Sequence, residues 1–319
     1  MRNCRLLNRP RAITAPLTGA LLVTAVLFAG SAGLGQPALA QQAETPQASG
    51  LIEPIFRVDH EVAAAQPTQV ATRIALAKSN APFDLTQLTG EHPLMPSLRM
   101  AKQSLQTIDS RVRDYNAIMM KQERIDGELA DKEVAFIKVR HQPFSVYMYF
   151  LGESKGRECI YNSLSNDSKG KLVARDCGFK KRLGKFTLDP DGAIAMRGQK
   201  YPIMKLGLRE LTKELVSVAS NDVKFGECQV RNGQGTMEGR PITWLEVIHP
   251  VPRNNFRFYK AQVFIDNELR IPVRYNAYTW PKQPGGEPQL EESYTYLKLN
   301  VNNGYTDADF DPNNPEYYK

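Results

Sequence analysis

The strongest constraint on this chain is the spacing of its β-forming runs. Ten stretches rich in β-branched and aromatic residues, at 115–125, 133–140, 145–151, 157–161, 172–177, 226–231, 243–248, 256–266, 273–280 and 291–300, follow one another along the sequence. Turn chemistry separates them, as in Ile125-Asp126-Gly127, Asn166-Asp167-Ser168, Met237-Glu238-Gly239 and Asp266-Asn267-Glu268. Sequential strands on short connections imply an antiparallel meander, because a parallel pair needs a long crossover. In one run Phe144, Val146, Met148 and Phe150 alternate with Ser145, Tyr147 and Tyr149; in another Tyr259, Ala261, Val263 and Ile265 oppose more polar neighbours. The sheet therefore has one apolar face.

That face must be covered. Leu98, Ala101, Leu105, Ile108 and Val112 recur at helical steps around 96–111, and Leu208, Leu211, Leu215 and Val218 do so within 205–219. Two amphipathic helices on one sheet predict a two-layer α+β domain. Covering the face is worth about 25 cal/mol per Å² of apolar area, so the helices sit on it unless a ligand partly replaces them.

The first forty residues obey other rules. Arg2, Arg5, Arg9 and Arg11 precede an apolar run at 17–29 that ends in small residues and Ala38-Leu39-Ala40, the order of a cleavable secretory signal. The run falls short of the about 20 strongly apolar residues of a membrane span. Cys4 precedes that run and so is not the lipid-modified cysteine of a lipoprotein signal. Cleavage removes four arginines, lowers the charge from +7 to +3 and leaves 319 − 40 = 279 residues, which takes away the main support for nucleic-acid binding. Residues 41–91 mix Ala, Gln, Pro and Thr with few large apolar residues and read as a flexible tether with short helices; 92–319 reads as a single β-rich domain. The expected product is an exported, periplasmic protein, soluble once the signal is removed.

Of the three remaining cysteines, Cys159 and Cys177 stand nine residues either side of Ser168. A hairpin centred there brings them together as a cross-strand disulfide; two buried thiols are the alternative. Cys228 is left over, without an adjacent His in sequence.

Several motifs carry less than their letters. Gly152-Glu153-Ser154-Lys155-Gly156 spells a nucleophile elbow, but strands flank it where the elbow needs a strand and then a helix, so a surface hairpin is expected. His60, His92, His141 and His249 show no metal-ligand spacing, and no cofactor is implied. Asp307, Asp309, Asp311 and Asn313 alternate like half a calcium loop, yet Pro312 and Tyr318 occupy the positions of its Gly and Glu, so a solvated turn is expected. Glu123 and Glu133, beside Lys121 and Lys132, read as charges on the solvent side of strands. Lys180-Lys181-Arg182, near Lys185, is the densest basic cluster, either a solvated face or a contact for anionic headgroups or a cell-wall polymer.

Two stretches carry a resemblance. The run from His92 through Asp114-Tyr115, Lys121 to Gly127, Lys138 to Tyr147 and Gly156-Arg157-Glu158, continuing with Leu188-Asp189-Pro190 and Gly198 to Pro202, resembles a family of exported bacterial proteins known as a domain of unknown function. Val263 to Arg274, with Asn303 to Phe310 at the end, is similar to the hairpin and closing strand of periplasmic lipoprotein-carrier proteins of the LolA and LolB kind. That likeness implies a curved antiparallel sheet, a half-barrel, with helices on its concave face and a cavity for a lipid or acyl chain. The combined expectation is a non-enzymatic binding protein for an acyl chain, lipid or lipid-modified peptide. Its expected cavity wall is Ile137, Val139, Phe144, Val146, Met148, Phe150, Leu245, Val247, Tyr259, Ala261 and Val263. A hydrophobic ligand or lipidated protein is the expected partner, with an envelope protein and a transient membrane contact left open. The alternative is an interaction or sensor module whose cavity is closed.

Overall fold

Two meanders, one from each end of the domain, meet side by side to make one antiparallel sheet. The computed structural model describes residues 82–164, 169–283 and 285–319. The signal segment, the tether up to residue 81, His60 and the turn at 166–168 lie outside the described residues. The first meander is β1 (Asp114–Ile125), β2 (Glu128–Leu129), β3 (Glu133–His141), β4 (Phe144–Leu151), β5 (Glu158–Asn162), β6 (Lys171–Arg175) and β7 (Phe186–Leu188). The second is β8 (Gln229–Met237), β9 (Arg240–Ile248), β10 (Lys260–Asp266), β11 (Ile271–Thr279) and β12 (Gln289–Val301). The order is β7-β6-β5-β4-β3-β1-β12-β11-β10-β9-β8, with β2 paired to β1, so the sheet is open and β7 and β8 are its edges. Helix α1 (Met95–Arg111) leads into β1; α2 (Leu208–Asp222) lies in the crossing between the two edge strands and packs along α1.

Local chemistry sets the joints. Asp126-Gly127 and Glu238-Gly239 each place two successive residues at positive φ, the conformation of a two-residue hairpin turn whose twist suits the strands. Asp266 closes the β10–β11 turn by accepting the N–H groups of Glu268 and Leu269, both at 2.9 Å. Strand β8 runs three residues later than predicted and reaches Met237. Gly233 and Gly235 disguise it, but the Trp244 ring lies over Gly233, where a Cβ would come within 2.6 Å of the indole.

The core is divided. One cluster joins Tyr115, Ile137, Val139, Val146 and Ile271 to Leu208 of α2. A second joins Leu245, Val263 and Ile265 to Met100 of α1, Phe258 and Phe83. Phe83 is 5% exposed, so residues assigned to the tether in fact pack on the domain before α1 begins. Part of the opposite face of the sheet is covered as well. Tyr147, Ile160 and Phe310 form a third cluster with Tyr305 and Tyr317, and Tyr147 stacks on Tyr317 at 4.3 Å between ring centres. The C-terminal segment is fastened there by Asp114, whose carboxylate accepts the N–H groups of Asn303, Gly304 and Tyr305 at 2.6–3.2 Å. The acidic string that imitates a calcium loop is spent in the same way: Asp307 pairs with Arg140 at 2.8 Å and Asp309 with Lys138 at 3.1 Å.

The β5–β6 register corrects the disulfide. Cys159 faces Ala174, so the hairpin is centred at (159 + 174)/2 = 166.5 rather than at 168, and Cys177 lies beyond the end of β6. Both cysteines are free thiols.

Candidate functional site

Between the apolar face of the sheet and the two helices lies a cavity of about 1140 Å³. That exceeds the about 300–1,000 Å³ usual for small-molecule sites. Small side chains keep it open. Ser97, Ala101 and Ser104 of α1 line it at helical spacing, and Ala261 lines it from β10. On α2, Leu211, Leu215 and Val218 touch the second cluster yet are only half-buried, because they also border the cavity.

Successive rows across the sheet change character from one side to the other. Leu245, Val263, Tyr275, Tyr294, Lys121 and Glu133 face one another in register from β9 through β10, β11, β12 and β1 to β3. The next row runs Val247, Ala261, Ala277, Glu292 and Glu123. The β9–β10 side is thus hydrocarbon and the β1–β12 side polar. Glu123 and Glu292, each 4% exposed at the side chain, stand directly opposite, an arrangement that repels unless cations intervene. The segment after β7 supplies them: Lys200 reaches Glu292 at 3.1 Å and Glu291 at 2.6 Å, and its N–H donates to Glu123 at 2.9 Å. Tyr201 donates to Glu292 at 2.8 Å, Tyr294 donates to Glu123, and Arg257 lies 3.8 Å from Glu292. Lys121 bridges Glu123 at 3.6 Å and Glu133 at 2.9 Å. Burial, then the nearby carboxylates, hold the Tyr294 and Tyr201 hydroxyls well above their usual range, so both remain protonated donors. The carboxylate expected on the solvent side is therefore one of a buried pair on the cavity wall.

The two ends of α2 are fastened by different chemistry. At the first turn the buried Tyr115 hydroxyl accepts the Leu208 N–H at 3.0 Å, meeting one of the orphan donors of a helix N-terminus. Gly207, at φ +110°, is required here: a Cβ would lie 2.5 Å from that hydroxyl. At the last turn Asp222, 1% exposed, sits 3.4 Å from Nε2 of His249, which is fully buried. His249 Nδ1 lies 3.1 Å from the Phe258 carbonyl, an acceptor only, so Nδ1 carries a proton. Nε2 and Asp222 Oδ2 then face each other with no hydrogen-bond partner among the described residues. A proton on Asp222, held below about pH 6, removes the repulsion between the two. Burial raises the Asp222 carboxyl to about 6 and holds His249 below its usual range, so both favour the neutral pair.

Of the eleven residues expected on the cavity wall, Met148, Phe150, Leu245, Val247, Ala261 and Val263 line it. Ile137, Val139 and Val146 share the face but are sealed in the packed cluster with Leu208. Phe144 packs on Tyr161 at 5.9 Å between ring centres, at the edge of that cluster. Tyr259 is corrected: the chain bends before β10 begins, Tyr259 turns to Trp280, and Phe258 takes the cavity position. Sequence reasoning missed the polar belt, although Lys200 and Tyr201 fall in the Gly198–Pro202 motif. The Gly152–Gly156 stretch joins the antiparallel strands β4 and β5 through a single short turn, which is not the geometry of a nucleophile elbow. Cys228 and His249 are the next residues beyond the Gln229–Ile248 end of the β8–β9 ladder, but the Cys228 thiol is pushed up to about 12 by burial and by Asp222. A thiol at that value is not a nucleophile at neutral pH.

Residues 112–318 match the family model described as "Protein of unknown function (DUF1571)". A search of curated proteins found no match. Among solved structures, the chain is similar to the Mycobacterium tuberculosis lipoprotein LppX at 15% identity, covering 64% of this chain and 97% of that one with a TM-score of 0.35. It is similar to a DUF1329 family protein from Desulfovibrio piger at 10% identity, covering 69% and 98% with a TM-score of 0.33. A LolA superfamily protein from Nitrosomonas europaea matches at 10% identity over 66% and 97%, with a TM-score of 0.17. No ligand or activity is assigned from these likenesses.

Proposed function

The chain belongs to the DUF1571 family, and from the cavity of this member we propose an exported, non-enzymatic binding protein for an amphipathic lipid or lipid-modified peptide. The observation that carries the proposal is the cavity itself, about 1140 Å³ beneath a helix whose apolar stripe is left half-buried. The hydrocarbon of the ligand lies along Leu245, Val247, Ala261 and Val263, and its polar end meets Lys121, Tyr201 and Arg257 of the belt. About ten buried methylenes contribute about 8 kcal/mol before the cost of ordering the ligand. Periplasmic residence follows from the signal sequence and belongs to the same proposal. The closed-cavity sensor has no observation in its favour.

Native mass spectrometry of protein recovered in soluble form from its own cell envelope tests the proposal. A copurifying acyl lipid, displaced by the fluorescent fatty acid cis-parinaric acid, is expected. A bare protein mass together with no cis-parinaric acid uptake defeats it.

A further inference from the structure

Eight large apolar side chains are exposed among the described residues; three of them line the cavity, and a fourth, Phe179, lies on the short helix that carries one of those three. Phe179 is 80% exposed, Leu183 68%, Phe186 40% and Ile194 70%. Scattered exposure of this kind is ordinary, whereas a cluster marks an interaction site. These residues stand at the mouth of the cavity: Leu183, Phe186 and Ile194 line it, continuous with Leu172 and Leu188 further in. Between the apolar side chains stand Lys180, Lys181 and Arg182, all exposed, and Lys180 also lines the mouth. From Gly178 to Phe186 there is no acidic residue, although Asp176 lies 3.7 Å from Lys180 and Asp189 and Asp191 follow β7. Lys185 belongs elsewhere, since its ammonium donates to the Pro312 carbonyl at 2.9 Å.

Apolar side chains projecting among cations match one surface chemistry, the interface of an anionic bilayer. The rings and aliphatic groups enter the boundary between headgroups and acyl chains while the cations meet phosphate. The short Gly178–Leu183 helix holds them on one projecting turn, and the Arg182 guanidinium lies 5.2 Å over the Phe179 ring. We infer that the mouth formed by Phe179, Lys180, Lys181, Leu183, Phe186 and Ile194 docks on anionic lipid membranes, so that a hydrocarbon tail passes between bilayer and cavity without crossing water. The inference rests on the reading of the cavity as a lipid site, and it names the donor or acceptor of the cargo as a membrane rather than a protein.

The test is sedimentation of the soluble protein, recovered from cells expressing the full chain, with protein-free vesicles. Binding is expected to phosphatidylcholine vesicles carrying phosphatidylglycerol, to weaken with salt, and to be at least about tenfold weaker to pure phosphatidylcholine. The single variant F179S and the double variant K181E/R182E, at residues outside the cavity lining, are each expected to lose at least about tenfold in binding to the anionic vesicles. Because these side chains are exposed, both variants should keep the thermal midpoint of the wild type and its uptake of cis-parinaric acid in the absence of vesicles. Equal binding by wild type and variants, or no preference for anionic lipid, overturns the inference. So does binding to native envelope fractions that protease abolishes, with none to protein-free vesicles. Vesicle docking that survives while cis-parinaric acid uptake is absent supports the docking surface and removes the cavity reading instead.

Discussion

The two ends of α2 rest on different ground. Its first turn lies on solid packing, where Leu208 joins Tyr115, Ile137 and Val139, all nearly inaccessible, and the helix N-terminus is capped from the central strand β1. Its later turns lie over hollow, where Leu215 and Val218 are half-buried and the buried Asp222 and His249 face each other at 3.4 Å. Both ends bear an apolar stripe of the same periodicity. What separates them is the size of the residues opposite. Val139 and Ile137 fill the space under the first turn, while Ala261 and the serines of α1 leave it empty under the later ones. The helix thus has one end on packed side chains and the other over partly open space.

The sharpest way to break this contrast is to truncate one residue on each side. Ile137→Ala removes methyls from a site with no access to solvent and should cost about 2–5 kcal/mol of unfolding free energy in urea titrations. Leu215→Ala, whose side chain already borders empty space, should cost under about 1.5 kcal/mol. Equal costs would show that the space under α2 is closed in solution.

The second effect is electrostatic and concerns the end over partly open space. Asp222 titrates near 3.8 when unfolded and about 6 when folded. Between those values the folded protein keeps a proton that the unfolded chain has released, so this group's contribution to stability falls as pH rises through the window. The shift of 6 − 3.8 = 2.2 units corresponds to about 3 kcal/mol at most. His249, with a depressed value, acts with the opposite sign, its contribution being lost as pH falls through the window below 6.5. The difference between wild type and Asp222→Asn reports the Asp222 carboxyl together with its effect on the neighbouring His249. The variant is expected to gain on the wild type from pH 4 to 6 and to keep that gain above. Parallel stability curves would mean that Asp222 titrates alike in the folded and unfolded chain.

At the packed end, Gly207→Ala meets both a positive φ and the immovable Tyr115 hydroxyl. A loss of about 2 kcal/mol is expected. Tyr115→Phe removes the cap alone and is expected to cost about 1 kcal/mol. If the alanine variant unfolds at the same urea concentration as wild type, the N-terminal clamp is weaker than its geometry indicates.

The sheet was legible because its turns and alternation are local signals: Asp126-Gly127, Glu238-Gly239 and the Phe144–Phe150 alternation each encode their own conformation. Both helices were legible for the same reason. Which residues line the cavity was only half legible, since Val146 and Met148 share a face and a periodicity, yet one is packed over and the other faces the hollow. That distinction depends on where α2 lands. The Glu123–Glu292 belt was hidden for a different reason: its residues come from β1, β12 and the segment around Lys200, far apart in sequence, and a buried carboxylate looks like an exposed one until its cations are placed. The covered part of the outer face, with Tyr147 beneath Tyr317, depends on the same kind of long-range return of the chain.

The smallest expected change in stability is also the most informative about occupancy. Leu215→Trp places a larger ring at a side chain that touches the second cluster but also borders empty space. Overpacking a filled core typically costs about 1–3 kcal/mol, so the same substitution under the first turn, at Leu208, should be destabilising by that amount. At Leu215 the ring can enter the hollow, and the urea midpoint should move by less than about 0.5 kcal/mol in either direction. Ligand and tryptophan then compete for one volume, so uptake of cis-parinaric acid should fall while the fold is kept. Full uptake by Leu215→Trp would mean that hydrocarbon enters somewhere other than beneath α2, whereas a large loss of stability would mean that the lid is already seated on solid ground along its whole length.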